Sequence, residues 1–192
     1  MGKGRLEAFS DGVIAILITI MVLELKIPQG DRLESLLPMV PVFLSYVLSF
    51  VYVGIYWSNH HHLLHTLNRI TGTMLWANLN LLFWLSLIPV GTAWIAEHPT
   101  SSVPAALYGA DLLLCGAAYY LLERLIMSSQ GSDSLLRQAV GGDWKTRSSI
   151  VLYVIGIVVA FWSARAAQGL YVLVAMLWLI PDRRIERRLQ HQ

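Results

Sequence analysis

Arg5-Leu6-Glu7-Ala8-Phe9-Ser10-Asp11-Gly12 opens an apolar run that continues through Ile16, Thr19, Ile20 and Leu23 and ends near Pro28. A serine and an aspartate therefore sit just inside the mouth of an otherwise apolar helix. An aspartate in hydrocarbon is costly, so this one is expected to face protein or water rather than lipid. Beyond it, Ile16, Ile20 and Leu23 fall at i, i+4 and i+7, one face of a helix, with Thr19 at its border. Several copies presenting that face to a common axis would form a narrow apolar neck. Such a neck gates ions by dewetting, and a threonine hydroxyl beside it offers oxygen to a partly dehydrated cation. The same spacing equally suits a face packed on lipid or on another helix.

The rest of the chain supports an all-α membrane protein. It has 192 residues, 56% of them hydrophobic and 14% charged, with mean hydropathy +0.57. Soluble domains carry about 25% charged residues. A net charge of +2 gives no reason to expect nucleic acid as a partner, and the single cysteine, Cys115, leaves no disulfide within one chain. Cys115 sits in an apolar stretch and is expected in the core. The first apolar run ends at Glu24 and Lys26 with no small-residue cleavage site, so it is expected to stay as a helix.

A spanning helix needs about 20 mostly apolar residues. Six candidates cover 6–27, 37–62, 73–97, 103–127, 149–164 and 169–180, in a single domain over 1–192, the last two being short and tightly connected. Six spans put both ends of the chain on one side. That side gathers Lys3, Arg5, Arg69, Arg124, Arg137, Lys145, Arg147, Arg183, Arg184, Arg187 and Arg188, against Lys26, Arg32 and Arg165 on the other. The asymmetry makes both termini cytoplasmic. A polar loop over 128–148 is expected to hold a short amphipathic helix near 135–140. The tail 182–192 reads as a helix extension at the lipid surface. Trp57, Trp94, Trp144 and Trp162 read as interfacial anchors. Trp76 and Trp84 read as packing between helices, and Gly109 and Gly116 as a packing stripe.

The second polar feature is Tyr56-Trp57-Ser58-Asn59-His60-His61-His62-Leu63-Leu64-His65. His61 and His65 are one turn apart, a spacing that can bind a metal. A catalytic metal centre needs further ligands, and only His98 and His191 remain, with His98 on the opposite side. Histidines here also suit a pH-sensitive hydrogen-bond cluster. The third helix holds the amides Asn78 and Asn80, which in a membrane helix bond to neighbouring helices or, alternatively, partner the Ser10 and Asp11 region, and Asp111 in the fourth has no partner evident in the sequence. No Thr-Val-Gly-Tyr-Gly filter, no helix with arginine at every third position and no Gly-Lys-Ser/Thr run is present. A carbonyl-ring filter, a voltage sensor and ATP-driven transport are therefore not indicated.

Arg5-x-x-x-Phe9-Ser10-Asp11-Gly12 with its following Ile-x-Ile-Thr-x-x-Val-Leu-Glu-Leu resembles the first helix of the prokaryotic transmembrane protein 175 family, relatives of the lysosomal potassium channel of animals. Tyr56-Trp57-x-Asn59-His60-His61 is similar to that family's second helix. Trp76-x-Asn78-Leu79 through Leu87-Ile88-Pro89 is similar to its third. The resemblance is dense over the first half of the chain and rests on hydropathy over the second. It implies a homotetrameric, potassium-selective cation channel, not an enzyme, with no cofactor and with K⁺ only transiently in its pore. It implies six helices per subunit, helix one lining the pore, and Ile16, Ile20 and Leu23 as the constriction with Thr19 as the adjoining hydroxyl layer. It further implies a hydrogen-bond network of Arg5, Ser10, Asp11, His60 or His61, Trp76 and Asn78. His62-Leu63 departs from the pattern, which carries an arginine after the histidine pair. Two other readings compete. A proton-coupled transporter or proton-permeable pore would use Asp11 and the histidines, although inverted repeats are not visible. A metal-binding membrane protein would use His60-His61-His62-x-x-His65.

Overall fold

A computed structural model describes residues 2–67, 69–129 and 144–179. The expected surface helix at 135–140 and the charged tail 182–192 lie outside the described residues. The described chain is almost wholly helical: α1 Lys3–Leu23, α2 Val40–His65, α3 Gly72–Leu85, α4 Ile88–Glu97, α5 Ser102–Ser129, α6 Trp144–Val159 and α7 Ala164–Leu179, with a 3₁₀ turn at Leu33–Met39 before α2. Runs 3–23, 33–65, 72–97 and 102–129 are long and apolar enough to cross a membrane. Helices α6 and α7 have 16 residues each, about 24 Å of helix, against a hydrocarbon core of about 30 Å.

Several boundaries differ from those read in the sequence, α1 ending at Leu23 rather than residue 27 among them. The expected helix 73–97 breaks at Ser86–Leu87 into α3 and α4. Pro89 lies in the first turn of α4, where it has no N–H to give and its ring crowds the carbonyl four residues back. Ser86 Oγ donates to Phe83 O at 2.6 Å at the same point. The second helix begins at Val40 rather than Leu37, with Pro41 in its first turn. The last two helices begin about five residues earlier than expected, because a polar first turn is helical without being apolar. The turn between them falls at 160–163, where Ser163 Oγ accepts from Ala166 N at 3.3 Å, an N-cap for α7.

Helix α5 is the hub, packed by α3, α4, α6 and α7. Its buried stripe of Ala105, Tyr108, Leu112, Cys115, Leu122 and Ile126 repeats at helical spacing. Tyr171 of α7 is fully buried against it, its hydroxyl donating to Ala105 O at 3.0 Å. The ring fits only because Gly109 of α5 and Gly156 of α6 flank it. A Cβ at Gly109 would collide with the Tyr171 hydroxyl, and one at Gly156 would fall 2.5 Å from Cε1. A Cβ at Gly116 would instead make an ordinary contact with Tyr56 Oη at 3.7 Å. Helix α1 lies against α2, α3 and α4 on the other side of the bundle.

Candidate functional site

Helix α1 is largely apolar on both faces, and its inner face adds one buried polar residue, Ser10. Its inner face is Leu6, Ser10, Ile14, Leu17 and Met21, all buried against the bundle. Its outer face holds Ile16, Ile20 and Leu23, with relative exposures of 57, 41 and 80%, together with exposed Thr19. These four share one side, as the spacing predicts. Thr19 Oγ1 donates to Ile16 O at 2.8 Å. Its one proton is thereby committed to the helix, and its lone pairs are left on the outer surface.

The inner face is fixed by polar contacts. Ser10, His60 and Asn78 are each essentially inaccessible to solvent. Asn78 Nδ2 donates to Ser10 Oγ at 3.0 Å, and Asn78 Oδ1 lies 2.6 Å from His60 Nε2. With the amide N–H given to Ser10, the amide oxygen accepts, so His60 carries a proton on Nε2. One amide thus ties α1, α2 and α3 together, and it does so at a single rotation of α1. A turn of one residue, about 100° of helix, would take the Ser10 hydroxyl out of reach and leave the Asn78 amide N–H without its acceptor in the core.

Asp11 lies beside this chain but outside it, accepting from Trp57 Nε1 at 3.1 Å. Trp57 stacks on His61 with centroids 6.2 Å apart, and His61 meets His65 edge-on at 4.5 Å. The rings form a ladder on one face of α2. Of the two histidines open at the sequence level, His60 is the one bonded to Asn78. Among the described residues no third His, Cys, Asp or Glu joins His61 and His65 to make a metal-binding group. Lys3 Nζ donates to His65 O at 2.7 Å, which fastens the start of α1 to the end of α2.

Other expected members lie apart. Arg5 is exposed, and its guanidinium makes no hydrogen bond or ion pair among the described residues. Trp76 is 75% exposed, on the face of α3 away from Asn78, so it does not pack between helices of one chain. Trp84 is partly buried against Phe83, with centroids 5.0 Å apart. Trp57 is bonded to Asp11 rather than serving only as an interfacial anchor; its indole N–H needed an acceptor, and Asp11 offers one.

Two features were not legible as partners in the sequence. Ser49 Oγ lies 2.8 Å from Tyr108 Oη and within reach of Thr92 Oγ1, which also donates to Ile88 O at 2.7 Å. These three buried hydroxyls from α2, α4 and α5 satisfy one another. At the far end of α1, Lys26 Nζ lies 2.9 Å from Glu97 Oε1 and joins the loop after α1 to the end of α4. The hydrogen bond and charge of Glu97 raise the Lys26 ammonium above its ordinary pKa.

Comparison with known proteins converges on one family. Residues 5–89 match the family described as the endosomal/lysosomal potassium channel TMEM175. A potassium channel of a Chryseobacterium strain is 53% identical over 190 residues, 99% of each chain. A potassium channel of Chamaesiphon minutus is 37% identical over 70% of each chain. The Bos taurus protein named endosomal/lysosomal proton channel TMEM175 is 37% identical over 53% of this chain and 23% of its own length. The crystal structure of a lysosomal potassium-selective channel TMEM175 homolog from Chamaesiphon minutus superposes with a TM-score of 0.77 at 29% identity, covering 93% of this chain and 96% of that one. An inner face of α1 locked by Ser10, Asn78 and His60, an outer face of bare aliphatic side chains, and these relatives agree: the chain is an integral membrane protein that belongs to the TMEM175 channel family.

Proposed function

We propose that this chain is one subunit of a passive, potassium-selective cation channel, formed when four copies turn the outer face of α1 toward a common axis. The observation that carries the reading is the exposure of Ile16, Ile20 and Leu23 on a helix whose opposite face is fixed by buried hydrogen bonds. Rings of these three side chains form the hydrophobic constriction, and water is expelled from it unless the neck widens. Thr19 supplies the oxygen layer beside the neck, using lone pairs that its own hydrogen bond leaves free. Selectivity is modest in this reading, because few oxygens are present to replace a hydration shell. Asp11 and Ser10 stand about one and a half turns from Ile16, toward the entrance. The subunit crosses the cell membrane six times, α3 and α4 forming one crossing, with both termini in the cytoplasm as the basic residues favour.

A second reading is a proton path through the same pore. It is favoured by Asp11 and His61 lying near one another through Trp57 and by the naming of animal relatives as proton channels.

Flux in liposomes tests both. Reconstituted protein is expected to pass K⁺ faster than Na⁺, with Ile16→Asn raising total flux and lowering the ratio. Proton flux without K⁺ flux would favour the second reading. Flux and selectivity unchanged in Ile16→Asn would reject the constriction.

A further inference from the structure

We propose that a groove between α2 and α7 holds one acyl chain of a membrane phospholipid, with the lipid phosphate bound by Arg165. This inference rests on the membrane location of the chain and not on the pore.

The groove has a volume of about 550 Å³, within the range of about 300–1,000 Å³ typical of ligand sites. Its walls are apolar, with Leu44 and Val47 of α2 facing Val172 and Met176 of α7. All four are exposed on the surface of the bundle. The lining of α7 extends from Arg165 to Leu179, about 20 Å of helix. That is more than one leaflet of a hydrocarbon core of about 30 Å, so an extended chain from one leaflet fits along it. The floor contains the hydroxyls of Ser49, Thr92 and Tyr108. They already bond to one another and to Ile88 O, so a hydrocarbon chain lying on them strands no polar group.

The charged end makes the occupant specific. Arg165 lies at the start of α7 and lines the groove. Its guanidinium makes no ion pair or hydrogen bond among the described residues. Its neighbour Gln168, by contrast, is held by donating to Pro99 O at 3.0 Å. Just before Arg165, Phe161 and Trp162 are 63 and 80% exposed. An exposed tryptophan such as Trp162 marks the headgroup level of a bilayer. A free guanidinium at that level, above an acyl-length apolar groove, matches a phosphodiester with a chain below it: its fork of N–H donors pairs phosphate oxygens two at a time.

The test is native mass spectrometry of the delipidated full-length assembly titrated with dioleoyl phosphatidylglycerol. The wild type is expected to retain one phospholipid per chain. Arg165→Gln is expected to weaken retention at least threefold, and Val47→Trp, which fills the groove, to remove that lipid. Both positions are exposed, and an unchanged thermal midpoint shows that each variant is folded. Retention unchanged in Val47→Trp would overturn the groove. Retention lost there but unchanged in Arg165→Gln would overturn the phosphate contact. A loss of assembly mass in Val47→Trp would show that a second copy, not lipid, covers the groove, and would also overturn the proposal.

Discussion

The two faces of α1 are both largely apolar, and they differ by one buried polar residue and its bonds. Toward the bundle it presents Ser10, bonded to Asn78 and through it to His60; away from the bundle it presents Ile16, Ile20 and Leu23. With aliphatic side chains on both faces, an apolar stripe alone does not say which face turns inward. Within a membrane the hydrophobic effect does not separate helices from lipid, and specific polar contacts determine which face packs. The inner face therefore sets the rotation, and the aliphatic face goes wherever that rotation sends it. Disturbing the inner face should cost assembly and stability, whereas disturbing the outer face should change permeation and leave the fold intact.

The largest effect should come from Asn78→Leu. It strands the Ser10 hydroxyl and the His60 N–H in the core, at about 1–3 kcal/mol for each unpaired group. A fall in the thermal midpoint of the purified protein, with altered flux because α1 is no longer held at one rotation, is the expected result. A midpoint equal to wild type would remove the lock. Gly109→Ala should follow, as an overpacking defect of about 1–3 kcal/mol where the new methyl meets the Tyr171 hydroxyl. Denaturation of this variant should show lower stability than Gly116→Ala, whose methyl has room.

On the outer face, Thr19→Val should leave stability within about 0.5 kcal/mol of wild type, as exposed substitutions usually do. It should lower the K⁺ to Na⁺ permeability ratio by removing the hydroxyl layer, and bi-ionic potentials would read this out. An unchanged ratio would take Thr19 out of the permeation path. The smallest effect belongs to the Lys26–Glu97 tie. The pair is exposed, so Lys26→Ala should leave the midpoint almost unchanged at neutral pH. Lys26 has its pKa raised in the folded protein. The stability it lends is present below the ordinary lysine value and disappears as pH rises through the folded one. A wild-type advantage over Lys26→Ala that grew at high pH would contradict this.

Much of this contrast was legible in the sequence because it lies on single helices. Ser10, Asp11, His60 and Asn78 stand out as polar residues in apolar runs, and the spacing of 16, 20 and 23 puts them on one face. What stayed hidden depends on contacts between helices. Trp57 looks like an interfacial anchor by residue type, and only the approach of α1 to α2 shows that its N–H meets Asp11. Gly109 reads as a packing glycine, but nothing in the spacing shows that Gly156, on another helix, completes a cradle for Tyr171. The break at Ser86–Leu87 was written in Pro89, yet hydropathy runs through it without interruption. The early starts of α6 and α7 escaped because hydropathy detects apolar residues and not helical ones.

The central claim, that the exposed face of α1 lines the conducting axis, is tested most directly by thiol block of K⁺ flux. Leu23→Cys is made in the otherwise unchanged chain, whose own Cys115 is fully buried and serves as the internal control. A charged methanethiosulfonate reagent should abolish K⁺ flux through Leu23→Cys and leave the wild type unaffected. Full modification of Leu23→Cys with undiminished K⁺ flux would place this face away from the ion path and contradict the account.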